Sequence, residues 1–321
     1  MKPVLCNYYV TYRCNSRCIF CDIWKNKKYH EIPDADIFQF KKNLQELRRI
    51  GVRFVDFTGG EPLLYNNLVD VLQFARSLGF FTSVTTNGIC YSQNAIKLKG
   101  LVTFLHFSLD SLNSEKNNRL RGVSGLQKIF QNIDIALSLG ERPDILFTIT
   151  GQNFDELENI GKFCQTKKLM LIVNPAFGYE KIESVDVQIL DKINEFQNKP
   201  YIYINQAFNR LRQKGGNQID NPRCRAVSSS IVISPDNKLL LPCFHYAFEQ
   251  IPIEINISEI LKSEKYRRIK REQGKFSFCQ GCDINCYFDP SFTHKLDYYT
   301  WLSLKAKGRY VFDKYIRSRI F

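Results

Sequence analysis

The chain has 321 residues, of which 44% are hydrophobic, and its 45 Lys and Arg against 32 Asp and Glu give a formal charge of +13. This length and hydrophobic content are typical of a globular chain with a sizeable core, and they exclude an intrinsically disordered protein. The sequence has no run of 18 apolar residues, so no membrane-spanning helix is predicted. The N-terminal residues lack the features of a signal peptide, and we therefore expect a cytoplasmic protein. Thiols are kept reduced in that compartment, so the eleven cysteines indicate metal or catalytic sites.

Strand-like and helix-like segments alternate from residue 4 to about residue 200. Apolar segments rich in β-branched or aromatic residues predict six strands, at residues 4–12, 52–60, 80–88, 101–110, 144–150 and 169–175. Helical periodicity lies between or after them, at residues 34–51, 66–79, 92–98, 124–139, 155–168 and 185–197. This alternation predicts a parallel sheet with right-handed crossovers. Eight such units close a full barrel, so six predict an α/β fold with a partial (β/α)6 parallel barrel.

The pattern changes after Gly215 and Gly216, which mark a predicted linker. Residues 228–244 predict a β-hairpin that turns at Pro235, and a basic helix is predicted at residues 257–274. A cysteine cluster and an aromatic, basic tail follow. We therefore predict three parts: the barrel at residues 1–214, a small second domain at residues 215–290, and a C-terminal helix at residues 291–321.

Cys14, Cys18 and Cys21 follow the spacing C-x3-C-x2-C in the loop after the first predicted strand. Three thiolates at this spacing can hold three irons of a [4Fe–4S] cluster and leave the fourth iron open to a ligand. Loops at this end of barrel strands carry the active sites of barrel enzymes. A zinc site completed by a distant Cys or His is the alternative that the spacing alone leaves open.

This loop resembles the C-x3-C-x-aromatic-C signature of the radical S-adenosylmethionine (SAM) enzymes, with Phe20 as the aromatic residue. Gly59, Gly60, Glu61 and Pro62 resemble the family's second motif, which follows the second strand. The resemblance implies that this segment contacts SAM, with Glu61 accepting a hydrogen bond from the methionyl ammonium. It implies further SAM contacts from polar groups at the ends of later strands and from an arginine for the SAM carboxylate, namely Thr86, Asn87, Ser108, Asp110 and Arg121.

The chemistry that the resemblance implies is reductive cleavage of SAM to a 5′-deoxyadenosyl radical, which takes a hydrogen atom from a substrate. A reductant such as flavodoxin or ferredoxin would supply the electron. The net reaction stays open between dehydrogenation, cross-linking and rearrangement of a small molecule or a peptide, and no catalytic residue is assigned. A non-catalytic iron–sulfur electron carrier is the alternative from another class, but a carrier would not need the motif around Glu61.

A second cysteine set lies beyond the predicted barrel, at Cys224, Cys243, Cys279, Cys282 and Cys286. It resembles the twitch domain, the shortened form of the SPASM extension of radical SAM enzymes, which implies one fully ligated auxiliary [4Fe–4S] cluster. The first four cysteines are the predicted ligands, and Cys286 is a candidate ligand or acid/base group. A structural zinc ribbon is the alternative. Cys6, Cys90 and Cys164 lie in apolar contexts and are predicted core residues.

The tail combines Lys and Arg with aromatic residues, and residues 262–321 hold fourteen basic against six acidic side chains. One interpretation is a helix that caps the barrel with a solvated cationic side. Another is an interfacial helix that meets anionic lipid, which would favour a lipid or polyprenyl-linked substrate at a membrane surface. No nucleic-acid partner is expected, because no RNA-binding motif is present.

Overall fold

The structure is a computed structural model that describes residues 2–178 and 184–317. Its strands are β1 (Leu5–Thr11), β2 (Phe54–Gly59), β3 (Phe81–Thr86), β4 (Phe104–Ser108), β5 (Asp144–Ile149), β6 (Leu171–Pro175), β7 (Ile202–Ile204), β8 (Ser230–Ile233), β9 (Lys238–Leu241) and β10 (Glu249–Pro252).

The helices of the first two thirds of the chain are α1 (Lys27–His30), α2 (Ile37–Ile50), α3 (Leu68–Ser77), α4 (Ala95–Leu98), α5 (Ser114–Arg121), α6 (Leu126–Ser138), α7 (Glu156–Lys167), α8 (Val187–Glu195) and α9 (Gln206–Gln213). Those of the last third are α10 (Ala226–Ser229), α11 (Ile257–Lys262), α12 (Glu264–Glu272), α13 (Phe288–Ser291) and α14 (Tyr298–Val311), and a π-helical turn (Phe312–Arg317) continues α14.

The ten strands form one sheet in the order β10-β9-β8-β1-β2-β3-β4-β5-β6-β7. Each strand from β1 to β7 is parallel to its neighbours, with helices on the connections. The predicted parallel α/β architecture and its six strands are therefore confirmed. The short seventh strand, β7, was not predicted.

Strand alternation separates an outer apolar face from an inner face of mixed polarity. On β1, Cys6, Tyr8 and Val10 join the core that lies between the sheet and the helices, whereas Asn7 points to the inner face. Cys164, on α7, also belongs to that core, as predicted, but Cys90 is only half-buried. The inner face borders the lumen of the partial barrel, and it carries both polar residues such as Asn7 and apolar ones such as Tyr9, which stacks on Phe244.

The predicted hairpin does not fold apart from the barrel. Its first strand, β8, runs parallel to β1, with Leu5 opposite Ser230 and Tyr8 opposite Ile233, so the hairpin widens the barrel sheet. The boundary at residue 215 therefore remains a prediction about domains and does not mark a break in the sheet. The basic helix is also two helices, because Ser263 interrupts it and caps α12 through its side chain, which accepts from the Tyr266 N–H.

The C-terminal helix packs on the barrel. Helix α14 contacts α9 and β7, and the turn after it buries Lys314, whose Nζ lies 2.7 Å from Asp144 Oδ1 at the start of β5. Tyr310 donates a second hydrogen bond to Asp144, at 2.6 Å. The tail thus closes the barrel at the amino ends of its strands. No helix in the described ranges combines the length and hydropathy needed to cross a bilayer.

Candidate active site and cysteine sites

The three N-terminal cysteines line one cleft at the carboxyl ends of the strands. Cys14, Cys18 and Cys21 occupy the loop between β1 and α1 and border an open space of about 790 Å³. Burial and the neighbouring thiols raise the pKa of Cys14 to about 12 and that of Cys21 to about 11. Within the described residues, no three His, Cys, Asp or Glu side chains converge on a position for a single metal ion, and the thiols instead stand around the cleft.

Paired glycines bring the end of β2 against this cysteine loop. The Gly60 N–H donates to Thr11 O and the Glu61 N–H to Arg13 O, each at 2.8 Å. A Cβ on Gly59 would lie 2.0 Å from Thr11 O, which leaves no space for a side chain. Gly59 also has a φ of +138°, a backbone conformation that residues other than glycine rarely adopt. The glycines therefore allow close approach to the chain's own cysteine loop.

Glu61 is a buried carboxylate that ties two strand ends together. Its Oε1 accepts hydrogen bonds from the Leu63 N–H at 3.0 Å and from the Thr86 hydroxyl at 2.7 Å, and its Oε2 accepts from the Asn87 N–H at 2.7 Å. Burial raises the pKa of Glu61, and these hydrogen bonds oppose the rise. Glu61 also borders the cleft. The observed role of its carboxylate is to anchor the end of β3, and its contact with the SAM ammonium remains a prediction.

Asn87 connects the end of β3 to the cysteine loop. Its Nδ2 donates to Asn15 Oδ1 at 2.6 Å and to Ser16 Oγ at 3.0 Å. Sequence reasoning did not single out Asn15 or Ser16, although both lie inside the cysteine motif. The polar residues at variable positions of the motif were the signal that could have identified them.

Arg121 and Asp110 form a buried ion pair at the edge of the cleft. Asp110 Oδ1 also accepts from the Thr148 N–H at 2.8 Å, and Arg121 Nη1 donates to Cys18 Sγ at 3.8 Å. Burial lowers the pKa of Arg121, but Asp110 and Cys18 outweigh it and hold the pKa above its ordinary value. Arg121 Nη2 is buried without a hydrogen-bond partner among the described residues, so the guanidinium keeps a donor for a ligand carboxylate.

The structure brings together most of the predicted SAM residues. The cleft is bordered by Gly59, Gly60, Glu61, Thr86, Asn87, Ser108 and Arg121. Asp110 is not among the residues that border the cleft, and it is connected to the cleft by its ion pair with Arg121. Pro62 begins a short 3₁₀ turn directly after Glu61. Further lining residues that were not predicted are Ser16, Ile23, Trp24, Thr58, Thr85, Leu146 and Thr148. The strand residues among them lie on the inward alternation, which was the signal available for them.

Four cysteines of the second set line a separate cavity with an open space of about 410 Å³, namely Cys224, Cys243, Cys279 and Cys282. Burial, with the neighbouring thiols, raises the pKa of Cys224 and of Cys282 to about 12. Cys286 does not line this cavity, and its side chain is exposed. The donor set is thus four thiols around one space, which fits a fully ligated cluster.

Asn217, at the predicted linker, organises this cavity. Its side chain donates to Gly274 O at 2.8 Å and to Cys279 O at 3.1 Å, and it accepts from the N–H groups of Arg223 at 2.9 Å and Cys224 at 3.1 Å. Asn217 is fully buried, so the segment after Gly216 is packed structure. Nothing in the local sequence indicated this role.

Three features meet at the carboxyl ends of the strands of this parallel partial barrel: three thiols, a turn with two adjacent glycines, and an arginine N–H without a partner among the described residues. Together they indicate a class of protein, namely enzymes that bind an anionic ligand beside a metal cluster. The chemistry of the donors fits SAM and a [4Fe–4S] cluster, because three thiols leave one iron open and Arg121 keeps a donor for a carboxylate.

Comparison with known proteins gives the family. Residues 8–164 match the family model described as Radical SAM superfamily. The chain belongs to the radical SAM superfamily and is an enzyme, and its cofactors are SAM and a [4Fe–4S] cluster.

Curated relatives include a protein from Sulfurisphaera tokodaii named "Probable GTP 3′,8-cyclase", 25% identical over 90% of this chain and 94% of that protein. A GTP 3′,8-cyclase from Aquifex aeolicus is 27% identical over 82% of this chain and 92% of its own length. A GTP 3′,8-cyclase from Clostridium acetobutylicum is 34% identical, but the match covers 46% of this chain and 48% of that relative.

Two solved structures share the fold. Streptococcus suis SuiB bound to the precursor peptide SuiA has a TM-score of 0.70 and 18% identity, covering 92% of this chain and 74% of SuiB. The anSMEcpe structure with bound AdoMet has a TM-score of 0.67 and 15% identity, covering 99% of this chain and 96% of anSMEcpe. At these identities the likeness concerns the fold alone.

Proposed function

We propose that this enzyme binds SAM in the cleft above β1–β5 and uses it for hydrogen abstraction from a substrate held in the barrel lumen. The cluster and SAM together supply a 5′-deoxyadenosyl radical when bound. In this proposal Cys14, Cys18 and Cys21 ligate the cluster. The observation that carries the proposal is the buried, unsatisfied Nη2 of Arg121 in a cleft that these three thiols border.

The other cleft residues have positioning roles in this proposal. Gly59 and Gly60 present backbone close to the cysteine loop, while Glu61 fixes the end of β3 relative to β2. Asp110 holds the Arg121 guanidinium and leaves Nη2 free for the SAM carboxylate. The polar residues Thr86, Asn87 and Ser108, together with Pro62, complete the predicted SAM set. The two cofactors would be enclosed by the chain's own rigid strand ends.

We further propose that the second cavity holds an auxiliary [4Fe–4S] cluster, with Cys224, Cys243, Cys279 and Cys282 as ligands. The four-thiol lining of one enclosed space supports this assignment. Cys286 lies outside that lining, which favours its role as a free thiol over a role as a ligand. An auxiliary cluster could take an electron from a substrate radical, and this would favour dehydrogenation or cross-linking.

Iron content and product analysis test both proposals. Anaerobically reconstituted protein should hold about eight irons, and replacement of Cys14, Cys18 and Cys21 by Ala should leave about four and abolish 5′-deoxyadenosine formation from SAM and dithionite. Replacement of Cys279 and Cys282 should remove the other four and retain some cleavage of SAM. S-adenosylhomocysteine as sole product, or stoichiometric zinc in anaerobically isolated protein, would refute the respective proposal.

Radical SAM enzymes need a reductant and a substrate, and we propose flavodoxin or ferredoxin as the reductant. The substrate is proposed to be a small molecule or a peptide. The relatives named GTP 3′,8-cyclase make GTP the first small molecule to test. A GTP-dependent rise in 5′-deoxyadenosine formation would support a nucleotide substrate, and its absence at millimolar GTP would oppose one.

A second candidate, action on a lipid-linked substrate at an anionic membrane surface, is favoured by one observation on the tail. Large side chains on α14 and the turn after it are exposed, including Trp301, Leu304, Phe312 and Tyr315. Lys305 lies among them with its Nζ 5.2 Å from the Trp301 ring centroid. Aromatic and basic residues on one helical face are typical of interfacial helices.

Vesicle sedimentation tests this candidate. The protein should bind anionic vesicles at low salt and be released at high salt, because each basic residue near the surface contributes about 1 kcal/mol that salt screens. Trp301→Ser with Leu304→Ser should abolish binding. The control variant Lys307→Gln should retain it, because Lys307 forms an ion pair with Asp289 within the protein. Lack of binding by the intact protein at low salt would exclude the membrane candidate.

A further inference from the structure

Helix α12 turns a cationic face to solvent. Residues 262–275 hold seven Lys or Arg against two Glu. Arg267, Arg268 and Arg271 are exposed, and they lie on one side of the helix because positions three and four apart are neighbours. None of the three forms an ion pair within residues 2–178 and 184–317. This face therefore carries positive charge that the described part of the chain does not compensate.

The opposite side of α12 fixes the helix against the second cavity. The Tyr266 hydroxyl donates to Val227 O at 2.8 Å. Gln273, which follows the helix, accepts from the Ser228 N–H at 2.9 Å and donates to the Ser228 hydroxyl at 2.7 Å. Gln273 and Gly274 both line the cavity that four cysteines border. One anchored helix thus connects the cationic face to the second cysteine site.

Four aromatic side chains connect the lining of that cavity to the surface. Tyr246 lines the cavity and stacks on Phe278, with 4.8 Å between ring centroids. Phe276 and Phe278 stack on each other at 5.2 Å. Phe248 lies 5.2 Å from Phe276 and 6.0 Å from Phe278, again between centroids, and it is 55% exposed. Two contacts between rings therefore lead from the cavity lining to a solvent-exposed ring.

The cationic face borders these aromatic side chains. Lys265, on α12, has its Nζ 2.7 Å from Glu249 Oε1, and Glu249 directly follows Phe248. The exposed Lys275, just after α12, directly precedes Phe276. An apolar centre with a charged rim is typical of protein–protein interfaces. The exposed ring and the exposed cations form one surface, the cationic patch, which consists of Phe248, Arg267, Arg268, Arg271 and Lys275.

We propose that the cationic patch binds an acidic one-electron carrier protein, which exchanges an electron with the cluster in the second cavity. This inference deepens the proposed function and rests on it for the presence of that cluster. The cations attract and orient an acidic surface, while Phe248 supplies an apolar contact from which water is excluded. A reduced carrier bound there donates one electron to the cluster and is itself oxidised by one. In the reverse direction, an oxidised carrier accepts one electron from the cluster.

Other polyanions fit the patch less well. Helix α12, all of whose residues are described, exposes no large apolar side chain, so it lacks the apolar face with which a helix enters a bilayer. Glu264 and Glu272 are exposed on the same helix and would repel nucleic-acid phosphates, whereas a protein partner can place its own cations opposite them. The cysteine cavity directly behind the patch favours an electron carrier, because electron transfer requires close approach to the redox centre.

Binding is measured by isothermal titration calorimetry on the reconstituted holoenzyme under anaerobic conditions. The probes are oxidised flavodoxin and, separately, oxidised ferredoxin, both of which have acidic surfaces. At least one should bind at low salt and bind about tenfold or more weakly at physiological ionic strength, because exposed charges are screened there. A DNA oligonucleotide and anionic vesicles are titrated in parallel as the competing partners.

Charge reversal on α12 tests the location of the binding surface. Arg268→Glu with Arg271→Glu should weaken carrier binding at least about tenfold at low salt, because two attractive charges become repulsive. Phe248→Ser should weaken it about fivefold by removing the apolar centre. Lys97→Glu with Lys99→Glu is the matched control, since these exposed lysines lie between β3 and β4 and form no ion pair in the described ranges. The control makes the same change in net charge and should alter the affinity by less than about twofold.

Electron exchange is tested with protein in which Cys14, Cys18 and Cys21 are replaced by Ala, so that the proposed auxiliary site keeps its ligands. The protein is reduced with titanium(III) citrate, freed of reductant and mixed with oxidised flavodoxin in a stopped-flow spectrometer. Each flavin that accepts one electron and one proton gives the blue neutral semiquinone, which is recorded. Arg268→Glu with Arg271→Glu should slow its formation at least about tenfold at low salt, whereas the control pair should not.

Lack of binding of both carriers at low salt, an equal loss of affinity in the control, or a semiquinone rate unchanged by the α12 reversals would each overturn the proposal. Tighter binding of DNA or vesicles that the same reversals abolish would assign the patch to that partner and would also overturn it. Iron analysis distinguishes the two failures. Protein without the second cluster refutes the proposed function, whereas fully loaded protein that does not bind the carriers refutes this inference alone.

Discussion

Asn217→Ala should disrupt the second cysteine site and leave the N-terminal cysteine loop intact. The Asn217 side chain makes four hydrogen bonds at 2.8–3.1 Å, all to backbone groups around the second cavity. At a net value of about 1 kcal/mol for each, their loss should lower the free energy of unfolding by about 2–4 kcal/mol, the lower figure applying if water enters the space. Because the bonds hold the Cys224 and Cys279 segments, the variant should also lose about four irons and keep the four of the N-terminal loop.

The assay combines urea unfolding with iron analysis on the same anaerobic preparation. Asn209→Ala is the control, because Asn209 is also buried but its side chain makes one hydrogen bond within the described part of the chain, to Asn194 at 2.9 Å. That control should cost about 1 kcal/mol and retain all the iron. A loss of less than 1 kcal/mol in Asn217→Ala with full iron content would refute the reasoning that this side chain organises the cavity.

Three more predictions concern the barrel. Arg121→Lys should weaken SAM binding at least about tenfold by equilibrium dialysis, because lysine can pair with Asp110 but offers no second fixed donor; unchanged affinity would contradict it. Lys314→Met should destabilise the protein by about 3 kcal/mol in urea, because it leaves the Asp144 carboxylate buried without its cation, and Asp144→Asn in the same chain should recover part of the loss. Although burial raises the pKa of Asp144, His106 and Lys314 outweigh it and hold the pKa below its ordinary value. The stability from Asp144 is therefore present above about pH 4 and lost as the pH falls through the folded pKa, so Asp144→Asn should show a smaller acid-induced loss of stability than the parent chain.

The parallel strands could be predicted because each is a continuous apolar or alternating segment between polar residues. Strand β7 could not be predicted, because its three residues, Ile202–Ile204, are too few to show a periodicity. The pairing of β8 with β1 joins residues more than 220 positions apart, and no local pattern specifies such a partner. The break at Ser263 was visible in the sequence as a capping residue, but the basic helical pattern continues through it.

The candidate site also has parts that could be predicted from the sequence and parts that could not. The cysteine loop and the turn at Gly59 are local motifs, so the sequence alone was enough to predict them and to predict the family. Asn217 gained its importance only when distant segments came together around the second cavity. Glu61 was predicted as a ligand contact, and the structure adds three hydrogen bonds that a motif does not describe.

The position of β1 between β2 and β8 has a consequence for biosynthesis. Until residues 230–233 leave the ribosome, one edge of β1 has no partner, and the nascent barrel exposes a row of unpaired peptide groups beside the cysteine loop. Strand pairing over such a sequence separation is slow and comes late. The N-terminal cysteine loop therefore emerges long before its sheet is complete, and iron delivered during translation would meet three thiols whose surroundings are unfinished. In the proposed ligand assignment, cluster insertion at Cys14, Cys18 and Cys21 should be productive only after the hairpin has docked. Loading of the proposed first site would then depend on synthesis of the segment that bears the proposed second site.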